Sequence, residues 1–359
     1  MFNFEPVWAF KRTPRPDEIF SSWLLRTAKA HGAQLHTFCT LSLGKREIWT
    51  RDIDFSASKS LLSHCAKLSE ESIERIEGMT LQKALHLGKR AAFTPWVLSL
   101  GVFHRQRKGR GIQFCPECWR DDGEPYFRKK WRYAFMTECD VHESISLIDE
   151  CPHCHSSLVP HRSPRLDFAK CAHCHKQLDW NRSNAQNDYA AWMQQFLSAL
   201  SLNDEFSNNI LEASNWHSTC KSQSAKERGL LLRGLRTLLM DIRNVMRSSK
   251  PSTLANGRIF EQLAVQERRY WLGVLGSACY SGSEGLLRWL NAHLVTQRKL
   301  SMEQYPPSLQ AILSQLPSGN IVPKQRGLNL LEKLSKLRLE HSTRTASYRF
   351  DRAQLLLSA

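Results

Sequence analysis

Apolar residues recur at helical spacing through both ends of the chain. Near the N-terminus, Pro16 and Asp17 suit a first helical turn, Ile19, Phe20, Trp23, Leu24 and Ala28 fall on one face, and Gly32 is a stop. A second element covers Leu35 to Leu43. The stretch "SKSLLSHCAKLSEESIERI" predicts a helix, a break near Ser69 and a short second helix carrying Ile73 and Ile76. This has helix-turn-helix length, without the glycine that would mark the turn. Beyond Trp180 the helical pattern resumes: Asn187 to Leu200 is amphipathic, and further helices are predicted over 259–279, 284–298, 307–316 and 328–339. Glu227 to Met246 sets Leu231, Leu235, Leu238, Leu239, Ile242 and Met246 on one face, with Arg233, Arg236, Arg243 and Arg247 interspersed. Lys250-Pro251, Tyr305-Pro306-Pro307 and Leu316-Pro317-Ser318-Gly319 mark loops.

The middle of the chain departs from this pattern. Seven of eleven cysteines lie between 115 and 174 and resolve into four units: Cys115-Pro-Glu-Cys118, Cys139-Asp-Val-His142, Cys151-Pro-His-Cys154 and Cys171-Ala-His-Cys174. Two donors separated by two residues on a tight turn can reach one tetrahedral ion. Twenty residues separate the first two units and sixteen the last two, both ribbon-type gaps. Two structural Zn²⁺ per chain follow, one Cys₃His and one Cys₄. Each set is closed and leaves no position for a catalytic water. Loop length favours sequential pairing over an interleaved cross-brace, which stays open. A thioredoxin-like couple needs one Cys-x-x-Cys rather than four units in tandem. Haem attachment is suggested by Cys151-Pro-His-Cys154-His155 and Cys171-Ala-His-Cys174-His175, but leaves Cys115, Cys118, Cys139 and His142 unused. His153, His155, His161, His173 and His175 are read as knuckle or supporting residues. Cys39, Cys65, Cys220 and Cys279 sit in apolar patterns and read as small buried hydrophobes.

Composition adds a polyanionic partner. The 359-residue chain has a formal net charge of +16; residues 1–180 hold 27 Lys/Arg against 21 Asp/Glu and residues 181–359 hold 23 against 13, so both halves are basic. Two clusters are candidate nucleic-acid or partner contacts: Arg105, Arg107, Lys108 and Arg110, and Arg128, Lys129, Lys130 and Arg132. The second lies among Tyr126, Phe127, Trp131, Tyr133 and Phe135, of which Trp131, Tyr133 and Phe135 suit a ribbon core. A solvated face is the plain alternative for all these cations. No apolar run reaches the roughly 18 residues of a membrane span, and the first residues lack the charged and apolar regions of a secretory signal, so a cytoplasmic, non-membrane protein is expected. No P-loop, Gly-x-Ser-x-Gly or His-Glu-x-x-His occurs, and nothing asks for catalysis. The fold class is mainly α with small zinc-ribbon modules. An N-terminal helical, helix-turn-helix-like domain (1–110) is followed by a tandem zinc-ribbon region (111–182) and a C-terminal all-helical domain (183–359).

The string "CPECWRDDGEPYFRKKWRYAFMTECDVHESISLIDECPHCHSSL" resembles the zinc-finger core of the TniQ/TnsD family of transposon targeting proteins. "PDEIFSSWLLRTAKAHG" resembles that family's opening motif, with Ile19 where Ser is common. The resemblance covers residues 6–180, while the C-terminal half is similar only in being helical and is shorter than in members that read an attachment site directly. The resemblance implies a non-catalytic target selector. Such a protein links target DNA, or a DNA-bound CRISPR RNA-guided effector complex, to a AAA+ ATPase regulator of transposition. The alternatives are a direct attachment-site reader of the same family, a zinc-containing transcription regulator, or a nuclease built from dispersed acids. The leucine stripe of residues 231–246 would also allow packing against a second copy of the chain.

Overall fold

The computed structural model describes residues 7–44, 48–81, 94–98, 100, 102–103, 106–107, 110–163, 167–178, 187–201, 209–212, 214–216, 220, 224–248 and 259–319. The stretch Met1–Pro317 forms one compact unit; Ser318–Ala359 forms a second, of which only Ser318 and Gly319 are described. The helix expected over 328–339 and the loop at Lys250-Pro251 lie outside the described residues.

Among the described residues, the N-terminal part has five α-helices: α1 (Phe20–Ala30), α2 (Leu35–Leu43), α3 (Ile53–Ser56), α4 (Lys59–Ser69) and α5 (Ile73–Gly78). The predicted face of α1 is fully buried at Ile19, Phe20, Trp23, Leu24 and Ala28. Pro16 and Asp17, however, form a turn ahead of the helix. Asp17 is left-handed at φ 53°. Its carboxylate accepts from the Lys130 amide at 3.1 Å, and the Ile19 amide donates to the Phe127 carbonyl at 3.0 Å. These contacts to the middle segment hold the chain out of the helix until Phe20. The α1 N-terminus then has no cap of its own; Asp54 on α3 accepts from the Ser21 amide at 2.7 Å and from the Ser21 hydroxyl at 2.9 Å.

The break between α4 and α5 follows from capping. Ser58 and Ser72 accept from the Leu61 and Arg75 amides, each at 3.2 Å, and start the two helices. Glu70 takes the left-handed conformation (φ 59°) that ends α4, the role a glycine usually fills.

Among its described residues the middle segment contains one pair of two-residue strands, β1 (Val102–Phe103) with β2 (Gln106–Arg107), and one short α-helix, α6 (Pro116–Asp121). The remaining ribbon pairing consists of isolated bridges such as Phe114 with Ile148, Glu138 with Ser146 and Lys170 with Gln177. Trp131, Tyr133 and Phe135 are buried as expected, but Trp131 lies on a 3₁₀ turn, Lys129–Arg132, rather than on a strand. Every residue from Trp131 to Cys139 is buried, because this stretch is packed on both sides.

The C-terminal α-helices among the described residues include α7 (Asp188–Ser201), α8 (Ala225–Ser248), α9 (Val265–Cys279), α10 (Gly282–Ala292) and α11 (Pro307–Leu313). On α8, Leu231, Leu235, Leu238, Leu239 and Ile242 are fully buried within this unit. That burial leaves this part of the stripe no face for a second copy. Arg236 and Arg243 also turn inward: Arg236 pairs with Glu261 at 2.9 Å, and Arg243 lies over the Trp271 ring at 5.9 Å. α7 crosses α9 at Gly273 and Gly276, where a Cβ would meet the Asn187 side chain and the Tyr189 carbonyl oxygen. Trp96 ties the regions together: its ring packs edge-on against Phe135 and Phe260, and its indole N–H donates to the Leu232 carbonyl at 2.7 Å. Among the described residues, no helix is long and apolar enough to cross a membrane.

Candidate metal centres and the basic segment

The chain brings the four units together in sequence order. Cys115, Cys118, Cys139 and His142 converge on one point and Cys151, Cys154, Cys171 and Cys174 on another, with all donor atoms of each set within 4.8 Å of one another. Sequential pairing therefore holds, and the interleaved cross-brace is set aside.

At the first centre α6 supplies two ligands. Cys115 is its N-cap, with Pro116 at the first helical position, and the Cys115 sulfur accepts from the Cys118 amide at 3.5 Å. Cys118 Sγ lies 3.5 Å from Cys139 Sγ and 3.4 Å from His142 Nδ1; Cys115 Sγ and Cys139 Sγ each lie 3.7 Å from Nδ1. A tetrahedron with metal–sulfur bonds of about 2.3 Å has edges of about 3.8 Å, so these separations fit a single ion. Hydrogen bonds from Cys115 and Cys118, then from the His142 and Val141 amides, pull Cys139 far below the usual thiol range, while hydrogen bonds with Cys115 and Cys139, and then burial, push Cys118 up. A cation bound among the three sulfurs would stabilise each of them as a thiolate.

At the second centre Cys151 Sγ is 3.6 Å from Cys174 Sγ, and Cys154 Sγ is 3.7 Å from Cys171 Sγ. Two matching knuckles build it. Each first cysteine accepts from an amide two residues on, His153 N at 3.4 Å and His173 N at 3.3 Å. Each knuckle then closes through a left-handed histidine, His155 at φ 55° and His175 at φ 60°. The spare imidazoles at 153, 155, 173 and 175 are thus knuckle residues, whereas His161 stacks on Trp49 of the N-terminal part at 5.3 Å. The centres differ in exposure: Cys115, Cys118 and Cys139 are buried, while Cys154 is exposed. Slight burial raises the Cys154 pKa, but the Ser156 hydroxyl and amide outweigh it and lower it to about 6. Both sets are closed, with four protein donors and no vacant position for substrate. Cys39, Cys65, Cys220 and Cys279 are buried apart from them.

The basic residues are placed very differently from a free cationic face. Arg128 holds Asp122 with both guanidinium nitrogens, at 2.9 and 3.0 Å, and lies over the rings of Tyr126 at 4.5 Å and Trp131 at 4.8 Å. Lys130 pairs with Asp140 at 2.6 Å, and Lys129 donates to the Gly78 carbonyl at 2.8 Å. Arg110 pairs with Glu150 at 2.6 Å. Arg132 is a correction: it is 2% exposed, bonded to Asp52 at 2.5 Å and to Asp54 at 2.9 Å. No partner can reach it, because its guanidinium neutralises the carboxylate that caps α1. Arg105 and Lys108 lie outside the described residues, and Arg107 is placed only by its backbone in β2.

Buried ion networks were absent from the sequence reading. Arg26, on the apolar face of α1, reaches Glu18 at 2.7 Å and Glu124 at 3.2 Å. Arg268 on α9 donates to the Ala134 carbonyl at 2.6 Å and to Gln113 at 2.8 Å, and burial lowers its pKa to about 10 against the pull of Asp149. The signal was present for Arg26: it occupies the helical position seven residues after Ile19 on a stripe otherwise apolar. Such an arginine needs a buried partner.

The described fold is mainly helical and carries two Cys/His clusters, each able to hold a metal ion. Residues 9–144, less than half of the chain, match the TniQ family model. The match takes in α1 to α6 and the whole first centre and stops two residues beyond His142; the second centre and the C-terminal helices lie outside it. No curated protein matches the chain.

Proposed function

We propose that the protein is a non-catalytic target-selection adaptor. It would link DNA, or a DNA-bound CRISPR RNA-guided effector complex, to a AAA+ ATPase regulator of transposition, with two structural Zn²⁺ ions holding its centre rigid. The TniQ match supports the transposition role. One further observation favours the adaptor over a direct reader of DNA. The second helix of the α4–α5 pair spans only six residues, Ile73–Gly78, and its polar positions are Glu74, Arg75 and Glu77. Arg75 is held by Glu71 at 3.1 Å and by the Pro14 carbonyl at 3.1 Å. A helix in a major groove lies between two phosphate backbones and reads bases mainly with Arg, Lys, Asn or Gln, so a face of two carboxylates and one paired arginine suits it poorly. The paired state of Arg110, Arg128 and Lys130 points the same way.

Binding of the purified chain to naked duplex and to an assembled guide-RNA effector on its target, at physiological salt, tests this reading. The expected result is weak, sequence-tolerant and strongly salt-dependent binding to the free duplex, and tight binding to the assembled complex. A defined footprint on naked DNA at nanomolar protein would move the protein to direct attachment-site reading.

A further inference from the structure

At the first centre, His142 faces the three sulfurs with Nδ1, at 3.4 to 3.7 Å. Its other nitrogen, Nε2, is 2.8 Å from Asp121 Oδ2. With Nδ1 turned to the ion, the proton must sit on Nε2, so the imidazole donates and the carboxylate accepts. Asp121 is the last residue of α6, three residues after Cys118 and six after Cys115, so one short helix carries two ligands and this carboxylate. Its side chain is 69% exposed, and among the described residues it has no other hydrogen bond or ion pair. The adjacent Asp122, by contrast, is held by Arg128. A solvated carboxylate with no cation to neutralise, aimed at the back of a ligating imidazole, has one evident task.

We infer that Asp121 is a positioning residue for the metal: it fixes the His142 tautomer that ligates through Nδ1 and raises that nitrogen's basicity. This rests on the Cys115–Cys118–Cys139–His142 set holding an ion. An imidazole free to rotate or to place its proton on Nδ1 would lose part of its binding time at the ion. Partners of this kind contribute about 10–100-fold in metal affinity. The second centre has four sulfurs and no imidazole, so it serves as a control within the same molecule.

The experiment is a competition titration of the full chain with a chromophoric zinc chelator. The wild-type chain should release two ions. Asp121→Ala should weaken one of them about 10–100-fold and leave the other unchanged. Asp121→Asn, which keeps an acceptor but not the charge, should fall between. In a His142→Cys background, where no imidazole remains to be oriented, Asp121→Ala should have no effect. Because His142→Cys could itself disturb folding, nitrogen-labelled histidine gives an independent readout: the His142 Nε2–H resonance should be protected from exchange in wild type and lose that protection in Asp121→Ala. Two ions of unchanged affinity in Asp121→Ala, or an equal loss with and without His142, would overturn the role of Asp121 alone. A folded wild-type chain without an ion at this centre would overturn the metal reading beneath it.

Discussion

Arg132 reaches Asp52 and Asp54 through its guanidinium and also donates to the Leu98 carbonyl at 3.0 Å. It thereby joins the middle segment to the cap of α1. Burial raises the Asp54 pKa to about 6 although Arg132 pulls it down. A raised carboxylate favours the folded state when protonated; its contribution is full below the ordinary value of about 4 and is lost as pH rises through 6. Removing Arg132 takes away the opposing pull, so the folded pKa climbs further and the loss grows at high pH. Arg132→Met should therefore cost about 3–5 kcal/mol relative to wild type at pH 8, and less at pH 5. Denaturant unfolding of both chains at the two pH values checks this, and an equal cost would refute it. The same residue marks where sequence reading stops at this scale. The ligand cysteines were legible because two-residue spacing is a local constraint. The fate of Arg128, Lys130 and Arg132 was not, because Asp52 and Asp54 are some eighty residues away in sequence, and Asp122 and Asp140, though near, were read without their side-chain geometry.

At the scale of elements, helices were legible where their ends are set locally. Leu35–Leu43 runs to Gly44 at φ 61°, and α4 and α5 start at their serine caps. The entry to α1 was not, since contacts to residues 127–130 set it. The ribbons shrank to single bridges because convergence of the cysteines, rather than a ladder of strand pairs, fixes their turns. The α7–α9 crossing depends on residues that have no side chain. At Gly276 a methyl group would strike the backbone of Tyr189, which cannot move aside without shifting α7. Gly276→Ala should destabilise the protein by about 1–3 kcal/mol in spite of the better helix propensity of alanine. At Gly78, the last residue of α5, the same methyl meets nothing within 4 Å and φ is not positive, so Gly78→Ala should be neutral or stabilising by up to about 1 kcal/mol. Thermal unfolding of the two variants side by side gives the comparison; similar melting temperatures would show that α7 yields at the crossing.

Across the whole compact unit, the two metal centres hold very different amounts of structure. The segment between the first and second ligand pairs bonds outward in both directions. The Leu98 amide donates to the Arg132 carbonyl at 2.9 Å and the Ala134 amide to the Trp96 carbonyl at 2.6 Å, while Gln194 of α7 accepts from the Thr137 amide at 2.7 Å. On α9, Arg268 caps the Ala134 carbonyl and Arg269 pairs with Glu138 at 2.8 Å. Losing the first ion would free the ends of a strap that lies between N-terminal and C-terminal helices, so the loss spreads. The second centre closes a shorter excursion that meets the N-terminal part through the rings of His161 with Trp49 and His36, and packs Phe168 on Phe127 of the strap itself. Metal binding at such sites is folding free energy, and its reach is set by what the ligated loop supports. Cys118→Ser should therefore abolish cooperative unfolding of the whole unit or leave the chain aggregated. Cys171→Ser should preserve the global transition and lose exchange protection mainly across residues 151–178. Hydrogen exchange read by mass spectrometry, with metal content measured on the same samples, separates the outcomes. Protection lost across α1 and α8 in Cys171→Ser would show that the second centre, outside the TniQ match, carries the molecule as much as the first.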